Sequence, residues 1–546
     1  MKRRVLAIFL SLAMIILTLP IAAFASAPAT SDNPADREDA CSSFTAGKQA
    51  TVDGSTMTGD TCDTGSGDTR LIIVPAANHK PGSFVSMDYP GITQVYEESR
   101  TSVIPEVAHT YKIFSIDCPF GNENQVYSGE NTCGTNPALE TLNHADALLD
   151  WHALLYLGMA RSTTAREFVT IVGGLIEQYG MLGSGEDFMI SDPNEAWVME
   201  IPNYSTNWVA QRIPDNAVSI HANRMRIQEV DPNDTNNYLM SPNLIQNAID
   251  KGFYNPATDG PFNFQKVYNS PSASTALGNI RREWQMTSSL CPSQHWDPNG
   301  GPLSCNQYPL YVVPEQKISV EWWANTLWRN YYQGTPYDKS VGLPAGPFGS
   351  PERQSIKGAS FERSICTPNS EYTTITQSRS WLPNSIGGVA WFTTDNALSS
   401  IYVPIYAGTN SVPESWTVGY PKGGYNKDSA FWAFQALDSF SQLRFSDMHS
   451  DVRAVFDQIE DSELKNQAAV EQQALTYYTK ENQKRAETYL TNYSTSCAST
   501  AEQAARDMLG FLIGKYVDGT PQATVSQAWI DLYKPYAPTW VSPVYP

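Results

Sequence analysis

Residues 41–63 read CSSFTAGKQATVDGSTMTGDTCD, and our interpretation of the fold starts from this stretch. Residues 41–46 and 55–58 have the composition of short β-strands, and the loop between them ends in the turn-forming pair Asp53-Gly54. The pattern predicts two strands of a hairpin-like pair. Cys41 then stands at the start of the first strand, where a sheet would hold its side chain in a fixed direction.

The N-terminal residues have the features of an export signal. Residues 1–4 (MKRR) are basic, an apolar run extends over residues 5–22, and residues 23–25 (AFA) form a small-x-small cleavage site. We therefore predict a signal peptide at 1–25 and a secreted protein. A retained membrane anchor is the alternative, but the run ends in a cleavage site, and no later segment has the ~20 apolar residues of a membrane span.

Residues 26–40 (SAPATSDNPADREDA) are polar and contain no apolar stretch that could pack, which is typical of a propeptide. If the chain is cut after Ala40, Cys41 becomes the new N-terminus. One residue would then carry a thiol nucleophile and an α-amine able to accept its proton. This arrangement predicts amide hydrolysis. The alternative from spacing alone is that Cys41 is half of a surface disulfide.

Composition limits the possible functions. Hydrophobic residues make up 41% of the chain and aromatic residues 11%, which predicts a well-packed protein. The formal charge of −20 argues against nucleic acid or an anionic membrane as a partner. None of the cysteines forms a CxxC pair and none of the histidines forms an HExxH motif, so we expect neither a catalytic metal nor a cofactor.

Eight cysteines occur in a chain that we expect to enter an oxidising compartment. If Cys41 stays a thiol, at least one more cysteine is unpaired. Cys118 with Cys133, and Cys291 with Cys305, each bracket a turn-rich segment, so we predict these two bridges, although sequence cannot fix the connectivity.

The order of predicted elements indicates an α+β protein. A helical pattern covers residues 149–162, and the capping box Thr164-x-x-Glu167 opens a second helix. Strand patterns occupy residues 187–227 and 372–408, and strands followed by helices and then strands favour largely antiparallel sheets. Residues 235–351 read as a loop-rich elaboration packed over the sheets. Residues 429–516 have helical periodicity, so we predict a catalytic domain at 41–425 and a helical region at 426–546.

Several blocks of sequence, taken in order, resemble the bacterial dipeptidase and secernin family, and its secreted members in particular. Besides the opening stretch, the blocks are IPEVAHTYKIF (104–114), NENQVYSGENT (122–132), TTAREFVTIVGGLIEQYG (163–180), GEDFMISDPNEAWVMEI (185–201), WVAQRIPDNAVSIHANRMRI (208–227) and SEYTTITQSRSWLPNSIGGVAWF (370–392). This family belongs to the cysteine N-terminal nucleophile (Ntn) hydrolases. The resemblance implies an αββα sandwich of two antiparallel sheets with helices outside, and short peptides as substrates.

The resemblance also implies roles for individual residues. Cys41 matches the nucleophile, Asp63 the aspartate that holds its amine, and Asn223 the asparagine of the oxyanion hole. Asn131 matches a second polar position, although the alignment there needs a one-residue gap. Many relatives have an arginine shortly before the aspartate, whereas this chain has Asp60, so the arginine's role is not transferred.

Charged residues near these positions are candidates for substrate binding. Arg224, Arg226 and Arg379 could hold a substrate carboxylate, although a structural ion pair is the favoured interpretation of each. Glu130 could meet a substrate amine, as could the two other acidic candidates, Glu123 and Glu186.

Two other functions stay open from the sequence. The protein could be a related amidase that acts on N-acyl substrates, or a non-catalytic surface binding protein. Side-chain specificity, a homo-oligomeric state and autocatalytic removal of the propeptide are also left open.

Overall fold

The structure is a computed structural model, and it describes residues 41–65, 67–86, 101–300, 308–353, 362–478, 482–521, 525 and 527–536. The predicted signal peptide (1–25) and propeptide (26–40) lie outside the described residues, so both stay predictions.

The described ranges form strands and helices in the predicted order. The strands are β1 (Ser42–Ala46), β2 (Thr56–Cys62), β3 (Ile72–Val74), β4 (Ala77–Asn78), β5 (His109–Thr110), β6 (Ile113–Ser115), β7 (Pro119–Asn122), β8 (Tyr127–Cys133), β9 (Gly185–Ser191), β10 (Ala196–Ile201), β11 (Val209–Ile213), β12 (Val218–His221), β13 (Tyr238–Met240), β14 (Tyr311–Val312), β15 (Tyr372–Ser378), β16 (Val389–Thr394) and β17 (Val403–Tyr406). The α-helices are α1 (Trp151–Arg161), α2 (Ala165–Tyr179), α3 (Leu244–Asp250), α4 (Phe264–Tyr268), α5 (Pro271–Thr275), α6 (Leu277–Leu290), α7 (Val320–Trp323), α8 (Asn384–Gly387), α9 (Ala430–Ser441), α10 (Phe445–Tyr477), α11 (Gln483–Lys515) and α12 (Gln527–Tyr533).

Two large antiparallel sheets organise these strands. Sheet I has the order β14-β12-β1-β2-β15-β16-β17, and sheet II has the order β13-β11-β10-β9-β8-β7-β6-β3. A small third sheet pairs β4 with β5. β1 and β2 are antiparallel neighbours, with Ser42 opposite Thr61. The predictions of an α+β fold, of antiparallel sheets and of the first strand pair are confirmed.

The two large sheets contact each other through polar side chains. β1 and β2 of sheet I lie against β8 and β9 of sheet II. Thr58 Oγ1 donates a hydrogen bond to Ser191 Oγ over 2.7 Å, and Asn131 Nδ2 donates to Ser43 Oγ. Because buried polar groups are costly unless they are hydrogen-bonded, these contacts hold the two sheets in one register.

The opposite face of sheet I is apolar and is covered by the elaboration at 235–351. Phe44 of β1 stacks on Trp323 with ring centroids 3.5 Å apart, and Trp328 Nε1 donates to Thr374 O at 2.9 Å. The prediction that this segment packs over the sheets is confirmed. The expectation of few regular elements is wrong, because the segment contains the 14-residue helix α6.

Helices α1 and α2 cover the outer face of sheet II. The predicted cap of α2 is present, since Thr164 Oγ1 accepts a hydrogen bond from the backbone N–H of Glu167 at 3.1 Å. Gly180 ends the helix with a φ of 75°, a backbone conformation that favours glycine. Phe168 of α2 packs edge-on against Phe188 of β9.

The C-terminal helices α9, α10 and α11 share a hydrophobic core with the outer part of sheet I. Phe434, Val452 and Ala498 from the three helices belong to the same buried cluster as Phe392 and Val403. The described residues from Cys41 onward form one compact unit, and the boundary at residue 425 stays a prediction. Within the described ranges, no helix combines the length and apolar character needed to cross a membrane.

Candidate active site

Cys41 lies immediately before β1, at the point where sheets I and II meet. Since Ser42 is opposite Thr61, the register places Cys41 beside Cys62 of the neighbouring strand. Its side chain is buried, and Sγ donates a hydrogen bond to Glu130 Oε1 at 3.1 Å. The Cys62 thiol acts to lower the pKa of Cys41, but burial and the nearby carboxyls raise it, so this pKa lies well above its ordinary value.

Asp63 is connected to the start of β1 by a short hydrogen-bond chain. Asp63 Oδ2 accepts from Thr61 Oγ1 at 3.0 Å, and Thr61 Oγ1 accepts from the backbone N–H of Ser42 at 3.1 Å. Arg363 Nη2 and Ser370 Oγ also donate to this carboxylate. Burial raises the pKa of Asp63 above its usual value, although Arg363 acts to lower it. Through Thr61, Asp63 is therefore connected to the backbone of Ser42, the residue that follows Cys41.

Asn223 follows β12 and is held from both ends of its side chain. Its Nδ2 donates to Thr132 O at 2.9 Å, and its Oδ1 accepts from Arg282 Nη2 at 2.6 Å. A second contact fixes the backbone, since Asn279 Nδ2 donates to Asn223 O at 3.0 Å. The amide group thus has a defined orientation, and Arg282 connects it to the backbone of Cys41.

Arg282 of α6 joins these elements, and sequence reasoning missed it. Its Nη1 donates to the backbone carbonyl of Cys41 and, at 3.0 Å, to Ser42 Oγ, while Nη2 reaches Asn223. Burial lowers the pKa of Arg282 to about 10, so the guanidinium stays protonated near neutral pH. A sequence signal exists, because Arg282 falls on the helix face that carries the buried residues Met286 and Leu290.

The sequence that forms this site is similar to known peptidases. The profile of Peptidase family C69 matches residues 40–458. The chain belongs to peptidase family C69. A probable dipeptidase of Salmonella dublin is 29% identical over 388 residues, which cover 68% of this chain and 81% of that protein. A probable dipeptidase of Latilactobacillus sakei is 26% identical over 497 residues, or 87% and 95% of the two chains. Dipeptidase A of Lactobacillus helveticus is 26% identical over 414 residues, or 72% and 80%.

Family membership confirms the resemblance inferred from the sequence, and it confirms that the protein is a peptidase. The match begins one residue before Cys41 and extends into α10. It therefore includes both sheets and the elaboration that supplies Arg282.

In this C69 peptidase, Asn131 does not face the nucleophile. Its Nδ2 donates to Ser43 Oγ and, at 2.6 Å, to Asp187 Oδ1, so both amide hydrogens are used between the sheets. The neighbouring Glu130 contacts Cys41 instead. Because the alignment needs a one-residue gap at this point, it does not distinguish Asn131 from the neighbouring residue that contacts Cys41.

The three arginines considered for substrate binding are engaged in structural contacts. Arg224 and Arg226 both pair with Glu283, at 2.5 and 3.0 Å. Arg226 also donates to the backbone carbonyl of Ile220 at 3.0 Å and is completely buried. This geometry does not support contact between Arg226 and a substrate.

Arg379 lies at the wrong end of its strand for contact with Cys41. Tyr372 of β15 pairs with Cys62, whereas Ser378 at the other end pairs with Thr56. At about 3.3 Å per residue, these two ends are roughly 20 Å apart. Arg379 instead pairs with Glu471 of α10 at 2.6 Å and thereby ties the helical region to the sheet.

All cysteines of the described ranges are free thiols. The predicted bridge between Cys118 and Cys133 is therefore wrong. Cys118 Sγ lies 3.5 Å from Tyr372 Oη, while Cys133 Sγ donates to Asn131 O at 3.5 Å, so the two thiols have different neighbours. Cys305 lies outside the described residues, and its bridge to Cys291 stays a prediction.

Two clusters contain residue types that can bind a metal ion, and both are assembled from separate strands. Cys62, Asp117 and Glu371 form one, and Asp187, Glu200 and His221 form the other. The second cluster is saturated by protein contacts. His221 Nδ1 hydrogen-bonds to Asp187 Oδ2 at 2.8 Å, and Glu200 Oε1 accepts from backbone N–H groups. In the first, Glu371 Oε1 accepts from Thr64 Oγ1 at 2.7 Å.

Proposed function

We propose that this protein is a secreted cysteine dipeptidase whose mature chain begins at Cys41. Family membership and the names of the relatives support the dipeptidase activity. The observation that carries the assignment of the nucleophile is the position of Cys41 in the hydrogen-bond network. Arg282 donates to the Cys41 carbonyl and connects it to Asn223, and Thr61 connects Asp63 to the backbone of Ser42. We further propose that sheets I and II, with their outer helices, are the αββα sandwich of the Ntn hydrolases.

The mechanism follows from the two functional groups of an N-terminal cysteine. A free thiol has a pKa of ~8.5 and an α-amine ~7.7–8.0, so near neutral pH a proton passes between them at small cost. In the continuous chain the pKa of Cys41 is raised by its surroundings. Cleavage after Ala40 would place an ammonium group beside the thiol, and a nearby positive charge favours the thiolate.

Each neighbouring residue then has a defined task. The Cys41 thiolate attacks the peptide carbonyl, and the protonated amine donates its proton to the leaving nitrogen. Water, activated by the same amine, hydrolyses the resulting thioester. Asp63 orients the ammonium group, and Asn223 donates to the oxyanion. Arg282 is a positioning residue, because it holds the carbonyl of Cys41 and the amide of Asn223 at the same time.

Because Arg224, Arg226 and Arg379 have structural ion-pair partners, the substrate carboxylate needs another cationic group. Arg363 pairs with Asp63 at 2.6 Å and keeps 23% of its side chain exposed. A partly exposed guanidinium at the edge of the site suits bidentate binding of a carboxylate.

N-terminal sequencing and one pair of variants test this function. The active form should begin with Cys41, and Cys41→Ala should abolish hydrolysis of a dipeptide panel without changing the melting temperature by more than a few degrees. Cys497→Ala is the matched control, since this buried thiol lies in α11 away from the site. Active protein that begins at Ser26, or a Cys41→Ala variant with normal turnover, would place the nucleophile elsewhere.

A further inference from the structure

Three acidic side chains are enclosed beside the nucleophile. Glu130 Oε1 accepts the hydrogen bond from Cys41 Sγ at 3.1 Å. Asp60 of β2 approaches β8 from the other sheet, where its Cβ would lie 3.1 Å from a Cβ built on Gly129. Glu186 of β9 is opposite Thr132 in the same sheet. All three side chains are at most 2% exposed.

These carboxyls lack partners for several of their oxygens. Among the described residues, no hydrogen-bond partner is found for Asp60 Oδ1, Glu130 Oε2 or either carboxyl oxygen of Glu186. The His152 ring acts to lower the pKa of Glu130, but it also lies 3.8 Å from Asp117 and 3.9 Å from Asp150. Arg363 binds Asp63, and Arg282 binds the carbonyl of Cys41. Three buried carboxyls that share one histidine with other acids are costly, so a further cationic group would stabilise this cluster.

The pKa values of the three carboxyls agree with a site that a cation stabilises. Burial raises the pKa of Glu130 to about 7 and holds the pKa values of Asp60 and Glu186 well above their usual range. A bound ammonium group would stabilise the ionised forms.

The distance from Cys41 identifies which cation fits. A carbonyl carbon poised for attack lies about 3–3.5 Å from the sulfur. In an N-terminal residue, the α-amino nitrogen is two bonds from that carbon, or about 2.5 Å away. A carboxylate that already contacts Sγ therefore comes within ion-pair distance of this nitrogen when the substrate amine lies on the Glu130 side of the sulfur. An amine one residue farther along the chain would lie more than about 3 Å farther away.

We propose that Glu130, with Asp60 beside it, binds the α-ammonium group of the substrate, so that the enzyme releases a single residue from the free N-terminus of short peptides. This inference rests on the proposed function. It explains specificity without a separate pocket, because the same contact that selects the free amine also places the first carbonyl against Cys41.

The test compares two substrates that differ only in the amine. L-Leucyl-L-leucine carries the ammonium group, and 4-methylpentanoyl-L-leucine has the same carbon skeleton without it. We expect the processed wild-type enzyme to prefer the dipeptide by roughly 10- to 100-fold in kcat/KM, the range of a charge-assisted hydrogen bond. Glu130→Gln should reduce this preference to less than about threefold, because glutamine keeps the shape and removes the charge.

Controls make each outcome decisive. Glu463→Gln changes another buried carboxyl with an unpartnered oxygen, in α10, and should keep the full preference. Asp60→Asn should also weaken the preference, and it serves as the second variant if Glu130→Gln does not fold. Equal hydrolysis of both compounds by the wild type, or an unchanged preference in Glu130→Gln, overturns the inference alone. No hydrolysis of either compound overturns the proposed function and the inference with it.

Discussion

Replacing Arg282 by lysine should impair stability and catalysis together. The arginine donates through Nη1 to the Cys41 carbonyl and through Nη2 to Asn223 Oδ1, and its Nε donates to Gly278 O at 3.0 Å. A lysine ammonium is a single point and cannot reach both the nucleophile's backbone and the asparagine. At least two buried acceptors would then lose their partner.

The size of the effect follows from these contacts. A buried polar group left without a partner costs roughly 1–3 kcal/mol, so the free energy of unfolding should fall by about 2–6 kcal/mol. Because Asn223 would also lose the contact that orients its amide, kcat should fall by about 10²-fold or more. Urea unfolding followed by tryptophan fluorescence measures the first quantity, and steady-state dipeptide hydrolysis measures the second.

The neighbouring Arg281 provides a matched control. It lies on the same helix, but its guanidinium pairs with Glu362, donates to Asn299 Oδ1 at 2.9 Å and lies over the Tyr337 ring. Arg281→Lys should therefore lower the free energy of unfolding by about 1 kcal/mol and leave kcat within a few-fold, because these contacts do not involve Cys41 or Asn223. If Arg282→Lys behaved like Arg281→Lys in both assays, the bridging role of Arg282 would be refuted.

Three further predictions concern the nucleophile and its neighbours. Asp63→Asn removes a charge that raises the pKa of the Cys41 amine, so the corresponding limb of the pH–rate profile should move to lower pH; an unmoved limb would argue against this contact. Asn223→Ala should lower kcat by about 10²- to 10³-fold while the profile keeps its position, and a loss confined to KM would contradict an oxyanion role. Cys62→Ala removes the thiol that acts to lower the pKa of Cys41, so inactivation by iodoacetamide should require higher pH; faster inactivation at neutral pH would show that the sign is wrong.

The secondary structure could be predicted largely because its signals are local. The Thr164 cap and the apolar period that follows it identify α2 within a few residues of its observed bounds, and β1 and β2 follow from their composition and the turn between them. Helix α6 was missed because its sequence, LGNIRREWQMTSSL, places polar residues at several buried positions. These residues are stabilised by partners from elsewhere in the chain, and periodicity does not report such partners.

The candidate site shows the same division. Cys41 was identified because the signal and propeptide patterns before it predict cleavage after Ala40, which would make this cysteine N-terminal. Asp63 and Asn223 were identified through the resemblance. Glu130 was considered only as one acid among several, and Arg282 was not considered. Asn131 was assigned across a one-residue gap in the resemblance, and the structure shows it bound to Ser43 and Asp187 while Glu130 contacts Cys41.

The sequence by itself determined the family and the order of the strands and helices, and it singled out Cys41 as the candidate nucleophile. Only the tertiary structure decided what surrounds that nucleophile, because the deciding contacts join distant parts of the chain. Glu130 is 89 residues from Cys41, and Arg282 is 241 residues away, yet each forms a hydrogen bond to it. Contacts of this kind depend on which strands become neighbours and how the two sheets are stacked, and those are set by the summed packing of the whole core rather than by any local pattern.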